Sequence, residues 1–188
     1  MANPDGITDD VRKREEEYFR QRDKELIERM RQAAEAEQAR KNLQDASGIE
    51  NSALLQDLQE LGFTPDTLSL LPLVPVLQVA WAEGGISAAE RTMIVNLAHS
   101  RGIATGSAAD LQLTDWLDRR PSDETFRRAG RLISAMLDRP GSLKVDAADL
   151  LAYCEQIAAA SGGIFGIGKV SAEERAALEQ IATQLKKR

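Results

Sequence analysis

The residues with the clearest chemistry are two glutamates, Glu90 and Glu174, each three positions after a serine. In Ser87-x-x-Glu90 and Ser171-x-x-Glu174 the serine hydroxyl accepts from the third helical amide. The carboxylate reaches back to accept from the serine's own N–H. This spacing supports helix capping, stabilising each helix start by about 1 kcal/mol. A second candidate is the glycine-rich "SGGIFGIGK" at 161–169. It lacks G-x-x-x-x-G-K-[ST] and follows a predicted helix, so a helix C-cap and a tight turn explain it better than a phosphate cradle. His99 in "NLAHSRG" and the single Cys154 make no nucleophile–base pattern, and a lone cysteine on an apolar face reads as a small core hydrophobe. H-E-x-x-H, C-x-x-C and G-x-S-x-G are absent. Arg127, Arg128 and Arg131 in "RRAGR" form a small basic patch without aromatic interleaving, which reads as a solvated helix face. The expectation is a protein that is not an enzyme and does not bind nucleic acid.

The two capped glutamates belong to an internal repeat. "EGGISAAERTMIVNLA" (83–98) lies on "IGKVSAEERAALEQIA" (167–182) without a gap. Gly84 meets Gly168, Ser87 meets Ser171, and Glu90 meets Glu174. Ile94, Leu97 and Ala98 meet Leu178, Ile181 and Ala182. The preceding "VLQVAWAEG" and "CEQIAAASG" correspond less closely, and the second copy then inserts "GIFGI". Two copies of helix, glycine loop and capped helix suggest a pseudo-twofold helical domain.

The elements that position these groups follow the helical period. Helices are expected near 52–61, 65–82, 87–101, 107–118, 121–138, 146–160 and 171–187. Pro65 and Pro121 read as openings, and "RPGS" at 139–142 as a stop. Phe126, Ala129, Ile133, Met136 and Leu137 mark one apolar face, and Leu150, Leu151, Cys154, Ile157 and Ala158 another. Trp81 and Trp116 read as core or half-buried anchors. No segment sustains a two-residue alternation, so the fold class is all-α.

"AWAEGGISAAER" resembles the loop-and-helix pattern of TerB-like domains, small all-helical modules named from tellurite-resistance operons. Their usual form is A-D-G-x-[IV]-[ST]-x-x-E. The similarity covers residues ~63–188 in length, helix count and repeat. It implies a stress-linked interaction module and an acidic, divalent-metal-binding site where the repeats meet. By position that site takes Glu83 and Glu90, with Glu174 as the repeat mate of Glu90. Glu83 stands where aspartate is usual, and the second copy offers Ser161 or Ile167 there. A hard cation wants more oxygen ligands than two carboxylates supply. Capping alone also accounts for Glu90 and Glu174, and Glu83 also reads as an exposed helix-end residue.

A different chemistry precedes this domain. Residues 9–45 contain no glycine or proline and are rich in Glu, Arg, Lys, Gln and Ala, which predicts a long solvated helix. "DASGIENS" then reads as a break, separating an extended charged helix (1–50) from a helical domain (51–188) expected to fold alone. Apolar positions are too sparse for a sustained coiled-coil seam. Yet Tyr18, Phe19, Leu26, Ile27 and Met30 interrupt the charge. Phe19, Leu26 and Met30 fall near one face, with Tyr18 and Ile27 slightly round from it. That pattern suits a helix entering a groove on a protein partner. Packing on the chain's own domain is the alternative.

"KREEEYFRQRDKELIERM" also resembles the inhibitory segment of the mitochondrial F1-ATPase inhibitor protein, approximately E-E-E-R-Y-F-R-x-R-x-K-E-Q-L-x-x-L. Glu15, Glu16, Tyr18, Phe19, Arg20, Arg22, Lys24 and Glu25 match in place, and Ile27 and Met30 stand at its leucines. Glu17 replaces a usual arginine, and the family's histidine cluster has no counterpart. The resemblance implies a partner, the F1 head of ATP synthase, into which such a segment inserts to block rotation. The two competing functions are thus an interaction module and an ATPase inhibitor acting through its helix.

The net charge of −6 gives no bulk reason for binding nucleic acid or anionic membranes. "MANPDGITDD" has no basic or apolar signal-like region, and the longest apolar run, "LSLLPLVPVLQVAWA", is too short to span a bilayer. The expected location is cytoplasmic, without membrane insertion.

Overall fold

The computed structural model describes residues 4–137, 146–161 and 170–186. Its regular elements are helices, with no strand among the described residues. Internal packing divides the chain into two units, 1–42 and 43–188.

The first unit is formed by α1 (Pro4–Ser47) up to residue 42. Its charges make local pairs: Arg31 with Glu35 at 2.9 Å, Arg40 with Glu37 at 2.8 Å, and Arg12 with Glu16 at 3.9 Å. Such exposed pairs contribute a few tenths of a kcal/mol each. The helix stops where Gly48 takes a φ of 67° and donates its N–H to the Gln44 carbonyl, a left-handed turn that costs glycine nothing.

The second unit begins within the last turn of α1. Leu43 and Ile49 are both buried, and the Ile49 N–H donates to Ser47 Oγ. Asn51 then caps α2 (Ser52–Glu60) by accepting from the amides of Ala53 and Leu54. The expected helix over 65–82 is instead a turn at 65–67, a 3-10 segment (Leu68–Leu73) and the short α3 (Val74–Ala80). Pro72 and Pro75 are the reason: neither has an N–H to donate, and a proline ring collides with the preceding helical turn. The run is nonetheless buried on nearly every side, from Leu70 to Leu77.

Next come α4 (Ala88–Ser100), α5 (Ala108–Asp118), α6 (Asp123–Leu137), α7 (Ala147–Ser161) and α8 (Ala172–Lys186). Serines rather than prolines start several of them. Ser107 caps α5, and Ser122, not Pro121, accepts from the Thr125 amide to open α6. The predicted faces of α6 and α7 point inward: Phe126, Ile133 and Met136, and Leu150, Cys154 and Ile157, are each at most 3% exposed. The expected stop at 139–142 and the glycine-rich 162–169 lie outside the described residues.

In this unit α3 packs against α6, α7 and α8, while α7 also packs against α4 and α8. The four helices of the sequence repeat, α3–α4 and α7–α8, therefore share one core. Buried Gly130 lets Gln184 of α8 approach α6, where Ser134 Oγ donates to the Gln184 carbonyl. The tryptophans tie α3 to α5: Trp81 Nε1 donates to the Trp116 carbonyl at 2.9 Å, and Phe63 meets Trp116 edge-on.

Candidate functional site

Both capping boxes form as their spacing dictates. The Ser87 amide donates to Glu90 Oε2 at 2.7 Å, and the Glu90 amide donates to Ser87 Oγ at 3.2 Å. In the second copy the Ser171 amide donates to Glu174 Oε2 at 2.8 Å, and the Glu174 amide to Ser171 Oγ at 3.0 Å. What spacing did not announce is burial: Glu90 is 3% exposed and Glu174 is 1% exposed. Burial pushes the Glu90 carboxyl above its usual range. Its hydrogen bonds with Ser87 pull it back, while the charges of Glu174 and Glu83 push it further up. The three carboxylates of the repeats thus share one electrostatic neighbourhood.

They do not fit together as a cation cage. Glu83 lies in the turn after α3 and is exposed. Gly84 carries that turn at a φ of 85°. Glu90 and Glu174 face inward, each with one carboxylate oxygen accepting from its own cap amide. Among the described residues no group of three or more His, Cys, Asp or Glu side chains is arranged to hold a metal ion.

The basic patch on α6 is matched by acids from other elements. Arg128 pairs with Glu124 on its own helix and with Glu60 of α2, and lies 3.8 Å from Asp57. Arg131 also reaches Asp57, and Arg127 pairs with Glu124. These pairs explain why "RRAGR" does not present free positive charge. A groove of about 440 Å³ between α3, α6 and α8 went unnoticed in the sequence, since its lining mixes Gln78, Arg120, Phe126 and Glu173 from distant segments. Cys154 is buried, and burial pushes its thiol up to about 12. His99 sits 3.6 Å from Asp110 at the surface.

The N-terminal cluster has the opposite character. Glu15, Glu16, Tyr18, Phe19, Arg20, Arg22, Lys24, Glu25, Ile27 and Met30 are all exposed on α1. Tyr18, Phe19, Leu26, Ile27 and Met30 are 57–65% exposed, and Leu111 is the one other large apolar side chain so open among the described residues. Phe19, Leu26 and Met30 form a stripe within about 40° of arc at 100° per residue. Tyr18 and Ile27 flank it on opposite sides, farther round than the sequence reading placed them. Tyr18 and Phe19 meet edge-on at 5.8 Å, and the Arg22 guanidinium lies 5.9 Å from the Tyr18 ring. A shallow depression is lined by Arg14, Glu15, Tyr18 and Phe19.

No family model, curated protein or solved structure matches this chain. Among the described residues no helix is long and apolar enough to cross a membrane.

Proposed function

We propose that this chain is a non-enzymatic interaction module: a TerB-like helical domain carrying a helix that docks on protein. One observation carries the reading. Five large apolar side chains, Tyr18, Phe19, Leu26, Ile27 and Met30, are exposed together on a helix otherwise built from charge. Exposed apolar residues are ordinary singly, but a cluster ringed by charge marks an interaction surface. A helix presenting anchors at i, i+7 and i+11 binds by laying that stripe into a complementary surface.

The test is site-specific photo-crosslinking of the full chain in its native cell, with the crosslinker at Phe19, Met30 or Leu111. Adducts from positions 19 and 30, absent at 111 and competed by wild-type chain but not by Tyr18→Ala/Phe19→Ala, are expected. No adduct at either α1 position would sink the reading.

The F1 head is the named partner to try first. The residues that match the ATPase-inhibitor pattern, from Glu15 to Glu25, are all exposed on one helix. Full chain at saturation should then slow ATP hydrolysis by a cognate F1, and Phe19→Ala should relieve it. Undiminished hydrolysis would reject F1 as the partner.

A further inference from the structure

The turn between α5 and α6 carries a charge pattern found nowhere else in the chain. Ser122 follows Arg119, Arg120 and Pro121, and it is the one serine or threonine with arginine at both the second and the third position before it. Two guanidiniums ahead of a hydroxyl are what a basic-directed protein kinase reads through carboxylates along its substrate groove. Such a groove takes its substrate extended, so the pattern counts only where the backbone can present it.

At this turn the backbone can. α5 ends at Asp118, and Arg119 has a φ of −132° and a ψ of 119°, which is strand-like geometry. Proline at 121 disfavours the helical region for Arg120 as well. Residues 119–122 lie in no helix. Arg119, Arg120 and Ser122 are exposed, while buried Pro121 pins the turn to the domain. The partners of the two arginines, Asp115 at 3.1 Å and Asp123, are exposed too. Pairs of this kind contribute about 0–1 kcal/mol, so both guanidiniums can exchange onto a kinase's carboxylates. The Ser122 hydroxyl accepts from the Thr125 amide at 3.1 Å and lies 2.9 Å from the Thr125 hydroxyl, both at the surface. Releasing it from that cap costs about 1 kcal/mol, less than two charge-assisted contacts supply. Ser134 shows the contrast. It has Arg131 three residues before it, but it lies half-buried inside α6 with its hydroxyl donating to the Gln184 carbonyl.

We propose that Ser122 is a phosphorylation site for an arginine-directed serine kinase. Its Oγ attacks the γ-phosphorus of Mg²⁺-bound ATP, and the bond from that phosphorus to the bridging β-phosphate oxygen breaks. ADP leaves, and the hydroxyl proton passes to the kinase's catalytic carboxylate. The product sets about two negative charges between Arg119 and Arg120 on one side and Asp123 and Glu124 on the other. A dianion attracts a guanidinium more strongly than a carboxylate does, which draws Arg120 away from Asp123. Arg120 and Asp123 both line the groove between α3, α6 and α8, so the modification changes the charge at that groove. The site is independent of the reading of α1.

The test incubates the folded full chain with an arginine-directed serine kinase and Mg²⁺–ATP, and reads the product by intact mass and fragmentation. One phosphoryl group, on Ser122, is expected. Ser122→Asn keeps a cap acceptor and should take none. Arg119→Gln/Arg120→Gln should lower kcat/KM by about 100-fold, since each arginine forfeits a charge-assisted contact with the kinase. Both arginines are exposed, so this variant should melt as wild type does and report recognition rather than folding. No incorporation, incorporation elsewhere instead, or an undiminished rate for the arginine variant overturns the site. So does modification of a free peptide of residues 115–128 but not of the folded chain, because the folded turn is what presents the motif.

Discussion

Removing residues 1–50 tests where the folded domain begins. Leu43 is 2% exposed and Ile49 is 1% exposed, and both lie in the core of the second unit. Fully burying a leucine or isoleucine contributes roughly 1.5–3 kcal/mol. A fragment of residues 51–188 therefore forfeits about 3–6 kcal/mol relative to one of 43–188. It also exposes the apolar walls those side chains covered, which adds a cavity-like cost. Set against a typical net stability of about 5–15 kcal/mol, the loss is large enough to leave the shorter fragment marginal. For a domain of this size it corresponds to a fall in Tm of about 10–20 °C. Urea and thermal unfolding of both fragments, followed by far-UV circular dichroism, make the comparison. Leu43→Ala in the full chain supplies a milder version, expected to cost about 2–5 kcal/mol. Equal midpoints for the two fragments would refute the reasoning. They would show that the last turn of α1 and residue 49 contribute nothing to the core.

Three other perturbations have defined outcomes. The native carboxyl of Glu90 titrates above its ordinary value of 4.5, chiefly through burial. As pH falls from neutral toward 4.5 the native state takes up that proton before the unfolded state does, so wild type should gain stability relative to Glu90→Gln, which keeps a cap acceptor. A stability gap independent of pH, by urea unfolding across this range, would contradict this. Cys154, with its thiol pushed up to about 12, should resist a thiol reagent at pH 8 until the chain unfolds; rapid labelling of the native protein would refute its burial. Excess Mg²⁺ or Ca²⁺ should leave the melting curve where EDTA leaves it, because Glu83, Glu90 and Glu174 form no ligand set. A rise in Tm that Glu83→Gln abolishes would restore a cation site.

What the sequence made legible is what short range controls. The helix starts at Ser87 and Ser171 follow from four consecutive residues, and both boxes close as written. The inward faces of α6 and α7 follow from a period that one helix satisfies alone. The single helix expected over 65–82 failed for an equally local reason: two prolines outweighed a run of helix-compatible apolar residues. The ion pairs of Arg128 were hidden because Glu60 lies 68 residues away, and charge type alone does not say which acid a basic helix face will meet. The same limit applies to the groove between α3, α6 and α8.

The glutamates of the repeat show why one motif carried two readings. A capping box asks only for a carboxylate that can turn back on its own helix start. A cation site asks the same carboxylate to turn outward toward others. Sequence spacing satisfies the first demand and is silent on the second. Burial of Glu90 and Glu174 decides for capping, since each commits an oxygen to its serine amide inside the domain while Glu83 stays in solvent. Burial chiefly raises the proton affinity of Glu90, and the charges of Glu174 and Glu83 add to it against the pull of the Ser87 hydrogen bonds. On α1 the logic is reversed. There the apolar side chains Tyr18, Phe19, Leu26, Ile27 and Met30 lie open among charges, so the exposed apolar surface that calls for a partner lies on the helix that precedes the folded domain.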